Sequence, residues 1–233
     1  MAGKSDAAFD PRVPLLLLLS MTTGLVDAAS VLGLGKVFTA NMTGNVVFLG
    51  FAAAGTPGFK VMPFVAAIIS FMIGATIAGR TGKAHAGRTE RRWLLTAAVI
   101  EAALLWIAAA VALGFDVATQ TPELRLFAII GLTGLAMGFR NATIRQLKVP
   151  DLTTTVLTLT LTGLGADSTA AGGTNPNWPR RIGAVVAIFV GAALGAWLLL
   201  HVGIAAPLAL AGALVLFGTL ACSTHPASAR LVS

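Results

Sequence analysis

Six long apolar stretches constrain this chain more than any other feature of its sequence. Their lengths are close to the about 20 apolar residues that a helix needs to cross a lipid bilayer. Only 11% of all residues are charged, whereas about a quarter are charged in a soluble domain. So much apolar surface exceeds what a soluble core can bury, and we predict an all-α polytopic membrane protein. The stretches are residues 13–34, 62–79, 93–115, 126–145, 182–202 and 205–222.

Two shorter segments place polar side chains between the long stretches. Residues 38–45 read Phe-Thr-Ala-Asn-Met-Thr-Gly-Asn, and we predict a short helix that Thr39 caps and that runs to about residue 55. The second segment begins with threonines at 153–155, and its alternate threonines from Thr158 to Thr162 also fit a strand. A strand edge cannot face lipid, so we favour a buried half-helix.

The two halves of the chain repeat one order of features: a long stretch, a short polar segment and two more long stretches. A shift of 114 residues aligns Gly24 with Gly138, Asp27 with Asn141, Thr39 with Thr153 and Asn41 with Thr155. The predicted organisation is a polar tail, two membrane repeats and a second polar tail, at residues 1–12, 13–115, 116–222 and 223–233.

The number of membrane crossings depends on whether the short segments span the bilayer. If they enter without crossing, the chain has six spans in two inverted repeats, and if they cross, it has eight spans in parallel repeats. With the basic loop at 80–92 inside, six spans put twelve Lys and Arg residues inside and three outside, whereas eight spans put eight inside and seven outside. Because basic loops stay in the cytoplasm, the charges favour six spans with both termini cytoplasmic.

Charged residues inside the predicted spans are costly, at roughly 2.5–3.5 kcal/mol each at the bilayer centre. We expect Asp27 to face the bundle interior, where it either pairs with Arg140 or takes up a proton or cation; a purely structural cluster is the alternative. Glu101 lies about two helical turns into its span. We expect its side chain to reach back to the basic loop, and a proton relay is the alternative.

The broken helices suggest a function. In transporters built from inverted repeats, substrates bind near the bilayer midplane where half-helices begin, and helix N-termini attract anions. We therefore predict a small secondary transporter or permease for a small polar or anionic solute, with a non-transporting membrane scaffold as the alternative. The predicted substrate-binding residues are the polar groups around the breaks: Asp27, Thr39, Asn41, Thr43, Asn45, Arg140, Asn141, Thr153 and Thr155.

Other functions lack support in the sequence. The three histidines and one cysteine have no metal-ligand spacing, and no nucleophile and base are grouped, so we expect neither an enzyme, nor a metal site, nor a cofactor. The basic residues are not interleaved with aromatic ones, which argues against a nucleic-acid partner. The expected partners are the lipid bilayer, an unidentified small solute and a second copy in a homodimer, which the pairs Gly134/Gly138 and Gly191/Gly195 would allow.

Two motifs resemble those of a known family. Residues 24–30, Gly-Leu-Val-Asp-Ala-Ala-Ser, together with residues 38–45 resemble a signature of the YoaK-like bacterial inner-membrane proteins of unknown function. Residues 138–142 and the threonines at 153–155 resemble the second signature, in which Gln often replaces Arg140. The resemblance covers nearly the whole chain. It implies a multi-pass protein of the bacterial inner membrane and no particular activity.

Overall fold

Helices make up most of the part of the chain that the computed structural model describes, which is residues 10, 12–85, 87, 89–147 and 157–224. Six of its helices are long and apolar enough to cross a membrane, so the predicted all-α polytopic fold is confirmed. The α-helices in these ranges are α1 (Arg12–Gly33), α2 (Met42–Ala53), α3 (Val61–Ala84), α4 (Glu90–Ala112), α5 (Glu123–Leu147), α6 (Leu157–Ala166), α7 (Trp178–His201) and α8 (Ala205–Ser223).

The helices α2 and α6 are too short to cross a bilayer. They have 12 and 10 residues, which at 1.5 Å per residue makes them about 18 and 15 Å long. The hydrocarbon core is about 30 Å thick. In the described residues, both short segments that the sequence singled out therefore contain a helix shorter than a membrane span, and we refer to α2 and α6 as half-helices.

Close approach at glycines sets the packing of the long helices. A Cβ atom at Gly191 of α7 would overlap the carbonyl oxygen of Met21 on α1, and one at Gly138 of α5 would overlap that of Phe71 on α3. Only glycine lets two backbones come this near. Gly134 and Gly195 lie one turn away on the same contact faces. Both predicted small-residue pairs therefore lie in helix contacts within the chain, where α1 packs along α7 and α3 along α5.

The helices α4 and α8 form the third packed pair and run in opposite directions. Trp106 Nε1 on α4 donates to the carbonyl oxygen of Ala209 on α8 at 3.1 Å. Further back on α4, Leu94 shares a small cavity with Thr219, which lies further along α8. Contacts that advance along one helix and retreat along the other define an antiparallel pair.

The chain around α2 leaves and re-enters the bundle at one end. Lys36, before α2, lies with its Nζ 4.5 Å from the ring centre of Phe59, after α2. The loop between α4 and α5 lies at this same end, because Gln120 lies against Gly35. In that loop, a hydrogen bond from the Thr119 hydroxyl lowers the pKa of the Asp116 carboxyl.

The opposite end of the bundle is the basic one. It carries Lys83, Arg91 and Arg92, which flank the connection between α3 and α4. Arg12 at the start of α1 lies within electrostatic range of Glu90 at the start of α4. The six long helices thus alternate in direction between a basic end and an opposite end.

The start of α2 differs from the sequence prediction. The helix begins at Met42, so that Asn41 and not Thr39 is at the N-cap position, and no side chain caps it. Thr39 is buried, and its Oγ1 has no hydrogen-bond partner. The reason is that the Asp27 carboxylate accepts the backbone N–H of Ala40 at 3.0 Å, which holds this stretch in an irregular conformation ahead of the helix.

Candidate functional site

A cavity of about 450 Å³ lies where both half-helices begin. Its walls come from α1, from the irregular stretch before α2, from the first residue of α6 and from α7. Apolar side chains form most of the lining, and two of its groups, Asp27 and Asn41, are strongly polar. The described residues that line it are Thr23, Gly24, Asp27, Ala28, Val31, Leu32, Phe38, Ala40, Asn41, Leu157, Ile188, Ala192 and Ala196.

Asp27 is the only acidic group among these lining residues. It lies near the end of α1, and its carboxylate Oδ1 accepts the Ala40 N–H. In the described residues, no Lys or Arg side chain forms an ion pair with it. A carboxylate at this depth requires polar partners, and the described residues supply the backbone N–H of Ala40.

The asparagines and threonine around the start of α2 occupy different environments. Asn41 is exposed to the cavity at the position immediately before the helix. Asn45 is fully buried, and its amide takes both backbone groups of Phe38: Oδ1 accepts the N–H at 2.9 Å and Nδ2 donates to the carbonyl at 2.5 Å. Thr43 is exposed and is not among the lining residues. Asn41 is thus the residue of this group that faces the cavity.

Arg140 forms a buried ion pair with Glu101, not with Asp27. Its Nε donates to Glu101 Oε1 at 2.5 Å, and Nη2 pairs with the same oxygen. Its Nη1 donates to the Leu19 carbonyl at 3.1 Å and to Thr23 Oγ1 at 3.2 Å. Arg140 is 1% exposed and Glu101 is 4% exposed. The guanidinium therefore connects α5 to α4 and α1 through its Nε and Nη1 hydrogen bonds.

This pair corrects the expectation that Glu101 reaches the basic loop. Its side chain points into the bundle because Arg140 on the neighbouring helix supplies a countercharge at the same depth. Asn141 is also turned away from the cavity, and its Nδ2 donates to the Met137 carbonyl of its own helix at 2.9 Å. Thr23, which the sequence did not single out, contacts Arg140 and also lines the cavity.

Two of the predicted binding residues, Thr153 and Thr155, lie outside the described residues. The second half-helix is described from Leu157 onward, and Leu157 lines the cavity. At the other end of α6, Asp167 forms an ion pair with Arg181 near the start of α7 at 2.7 Å. In the described ranges, no group of three or more His, Cys, Asp or Glu residues is placed to hold a metal ion.

Comparison with known proteins places the chain in a family. The family described as "Protein of unknown function (DUF1275)" matches residues 15–221. The chain belongs to this family. A relative, the "UPF0700 transmembrane protein YoaK" of Bacillus subtilis (strain 168), is 36% identical over 160 residues, which cover 67% of each chain. The predicted YoaK-like resemblance is therefore confirmed.

No solved structure matches the chain. The six long apolar helices, together with a relative named as a transmembrane protein, identify this DUF1275 member as a multi-pass membrane protein.

Proposed function

We propose that this protein is a small secondary transporter or permease for a small polar or anionic solute. The observation that carries the proposal is the cavity of about 450 Å³ at the starts of both half-helices, with Asp27 and Asn41 in its wall. Half-helices that begin inside a bundle direct free N–H groups and a positive dipole end at that point. An apolar bundle gains no stability from such an opening, and a solute site accounts for it.

The opposed directions of α2 and α6 support alternating access at this cavity. From the cavity, α2 runs toward the end where Phe59 meets Lys36, and α6 runs toward the basic end, where Asp167 meets Arg181. Each half-helix therefore connects the cavity to a different end of the bundle. Transporters with inverted repeats share this arrangement around a central site.

The helix pairing supports two inverted repeats. If α1 to α4 correspond to α5 to α8, the contact of α1 with α7 has its counterpart in that of α5 with α3. The pair α4 and α8 is then its own counterpart. All three packed pairs fit this exchange. Each repeat has an odd number of long helices, so the second repeat enters the membrane in the opposite orientation to the first.

The charge distribution supports an orientation. Lys83, Arg91, Arg92 and Arg145 lie at one end of the bundle, and basic loops remain on the cytoplasmic side. The start of α1 and the end of α8 lie at this end, since Arg12 is within electrostatic range of Glu90 and Cys222. Both termini would then be cytoplasmic, in a bacterial inner membrane.

Transport can be tested with purified protein in liposomes. The probes are radiolabelled sulfate, chloride, acetate and glycerol, which cover inorganic anions, an organic anion and a neutral polar solute. We expect one or more to accumulate above the level of empty liposomes, and we expect Asp27→Asn and Asn41→Ala to abolish the accumulation. Thr43→Ala is the matched control, because Thr43 starts the same helix without lining the cavity. Wild-type flux in both cavity variants would refute the proposal.

A membrane scaffold is the second candidate function. It is favoured because several buried polar side chains form hydrogen bonds within the chain, above all Asn45 with Phe38 and Arg140 with Glu101. Under this hypothesis Asp27→Asn and Asn41→Ala reduce folded yield or homodimer content and no probe accumulates. Gel filtration of the variants in detergent distinguishes the two candidates.

A further inference from the structure

Two shallow grooves lie side by side on the membrane-facing surface of α3. Their volumes are about 480 and 620 Å³. They share Met72 and Thr76, which form a ridge between them. The first is lined by Ile69, Met72, Ile73, Thr76, Ile77 and Arg80. The second is lined by Phe71, Met72, Ala75, Thr76, Ala142, Arg145 and Gln146.

The first groove has the length of one membrane leaflet. Its lining residues recur at the three- and four-residue spacing of one helix face, and from Ile69 to Arg80 this face extends about 16 Å at 1.5 Å per residue. Half of the hydrocarbon core measures about 15 Å. A lipid chain lying along this face would thus reach from the bilayer midplane to the headgroup level at Arg80.

An arginine stands at the basic end of each groove. Arg80 ends the first groove and Arg145 ends the second, and both side chains are exposed. The two lie at the same level, because Gly82 on α3 touches the side chain of Gln146 on α5. Arginine binds phosphate through paired, charge-assisted hydrogen bonds. Apolar grooves that end in two guanidinium groups match a molecule with two apolar chains and a negatively charged head.

We propose that this surface is a binding site for one anionic phospholipid of the leaflet at the basic end. One acyl chain lies in each groove, on either side of the Met72–Thr76 ridge, and the headgroup is held between Arg80 and Arg145. Charge complementarity selects an anionic over a zwitterionic lipid. The site lies on α3 and α5, outside the cavity at Asp27, so it does not depend on the proposed transport function.

Native mass spectrometry of the detergent-solubilised full chain tests the proposal. The probes are phosphatidylglycerol and phosphatidylcholine with identical acyl chains. We expect one phosphatidylglycerol to bind at least tenfold more tightly than phosphatidylcholine. Each basic side chain near an anionic lipid surface contributes about fivefold in affinity, so we expect Arg80→Gln with Arg145→Gln to weaken phosphatidylglycerol binding by about 25-fold.

Two further variants distinguish a specific lipid site from a general effect of positive charge. Arg91→Gln with Arg92→Gln removes the same charge from the same end of the bundle, away from the grooves, and we expect it to retain the preference. Ala75→Trp fills the second groove without changing any charge, and we expect it to weaken both lipids. Equal loss in the two double-arginine variants would show a diffuse charge effect and overturn the proposal. So would equal binding of both lipids by the wild type.

Discussion

Asp27 and Glu101 are two acidic residues inside the same bundle, and their carboxylates have different partners. Glu101 is buried against Arg140, whose Nη1 also donates to the Leu19 carbonyl and to Thr23 Oγ1. Asp27 receives a backbone N–H from Ala40 and otherwise borders a cavity. The first acid has its countercharge built into the chain, and the second is left with room for a partner from outside.

The difference indicates which polar groups hold the bundle together and which are free to act. The guanidinium of Arg140 on α5 is hydrogen-bonded to α4 and α1 and so joins three helices. The cavity at Asp27 lies between α1, α7, the stretch before α2 and the start of α6, and none of its described lining residues is a basic group that could pair with the carboxylate. We therefore assign Glu101 and Arg140 to a structural frame, meaning the polar groups that hold the helices together, and Asp27 and Asn41 to the candidate site.

The largest expected effect is the loss of the buried ion pair. Arg140→Ala leaves Glu101 without a countercharge inside the bundle, and breaking such a pair from one side costs about 3–5 kcal/mol. We expect the folded fraction after solubilisation to fall sharply, as measured by gel filtration and by unfolding in mixed micelles.

A double variant tests whether the bundle needs the ion pair or only needs to avoid an unpaired buried charge. Glu101→Leu with Arg140→Met replaces both members by apolar side chains, and such replacements are often neutral or stabilising. We expect this double variant to fold nearly as well as the wild type. A double variant as unstable as Arg140→Ala would show that the hydrogen bonds of Arg140 to Leu19 and Thr23, rather than its charge, support the frame.

Asn45 is expected to have the next largest effect, and it tests whether the stretch before α2 belongs to the frame. Asn45→Ala removes two hydrogen bonds to Phe38 and leaves the backbone groups unsatisfied, at a cost of about 1–2 kcal/mol. Unfolding in mixed micelles measures it, with Thr43→Ala as the exposed control on the same helix. A cost no larger than that of Thr43→Ala would remove Asn45 from the frame.

The sequence predicted the helices well because lipid imposes length and polarity on each of them. The six long stretches all appear as helices, with ends that differ from the predicted ones by a few residues, and the described part of each short segment contains a helix. The predicted N-cap of α2 was wrong by two residues, Thr39 instead of Asn41, because a cap from Thr39 competed with the tertiary hydrogen bond from the Ala40 N–H to Asp27. Propensity alone does not reveal that competition.

The partner of Glu101 could not be predicted from the spacing of the sequence. The loop between α4 and α5 spans residues 113–122, and Glu101 lies 11 residues before the end of α4 whereas Arg140 lies 17 residues after the start of α5. Equal spacing from the loop would have predicted a partner on α5 closer to the loop than Arg140. The contacts of Arg140 with α1 depend on packing between distant helices, and no local pattern predicts them.

Asp27→Asn is expected to have a smaller effect on stability. It therefore tests most directly whether Asp27 differs from Glu101 in serving the site and not the packing of the bundle. In Asp27→Asn the amide oxygen still accepts the Ala40 N–H, and no ion pair is lost, so we expect the free energy of unfolding to change by less than about 1 kcal/mol. Solute accumulation in liposomes should nevertheless disappear. If Asp27→Asn unfolds as readily as Arg140→Ala, both acids belong to the frame.

The last prediction concerns geometry and should leave stability unchanged. In the six-span arrangement the segment that contains α6 enters and leaves the membrane at the basic end. The two half-helices then extend from the cavity toward opposite ends of the bundle. In a Cys222→Ser background, a single cysteine at Ser168 should react with a membrane-impermeant maleimide only from the cytoplasmic side. A cysteine at Thr56 should react only from the opposite side, and it serves as the control because that loop lies outside with six or with eight crossings. Labelling of Ser168→Cys from outside would mean that α6 crosses the membrane, and the cavity would lose the second half-helix on which its assignment as a site depends.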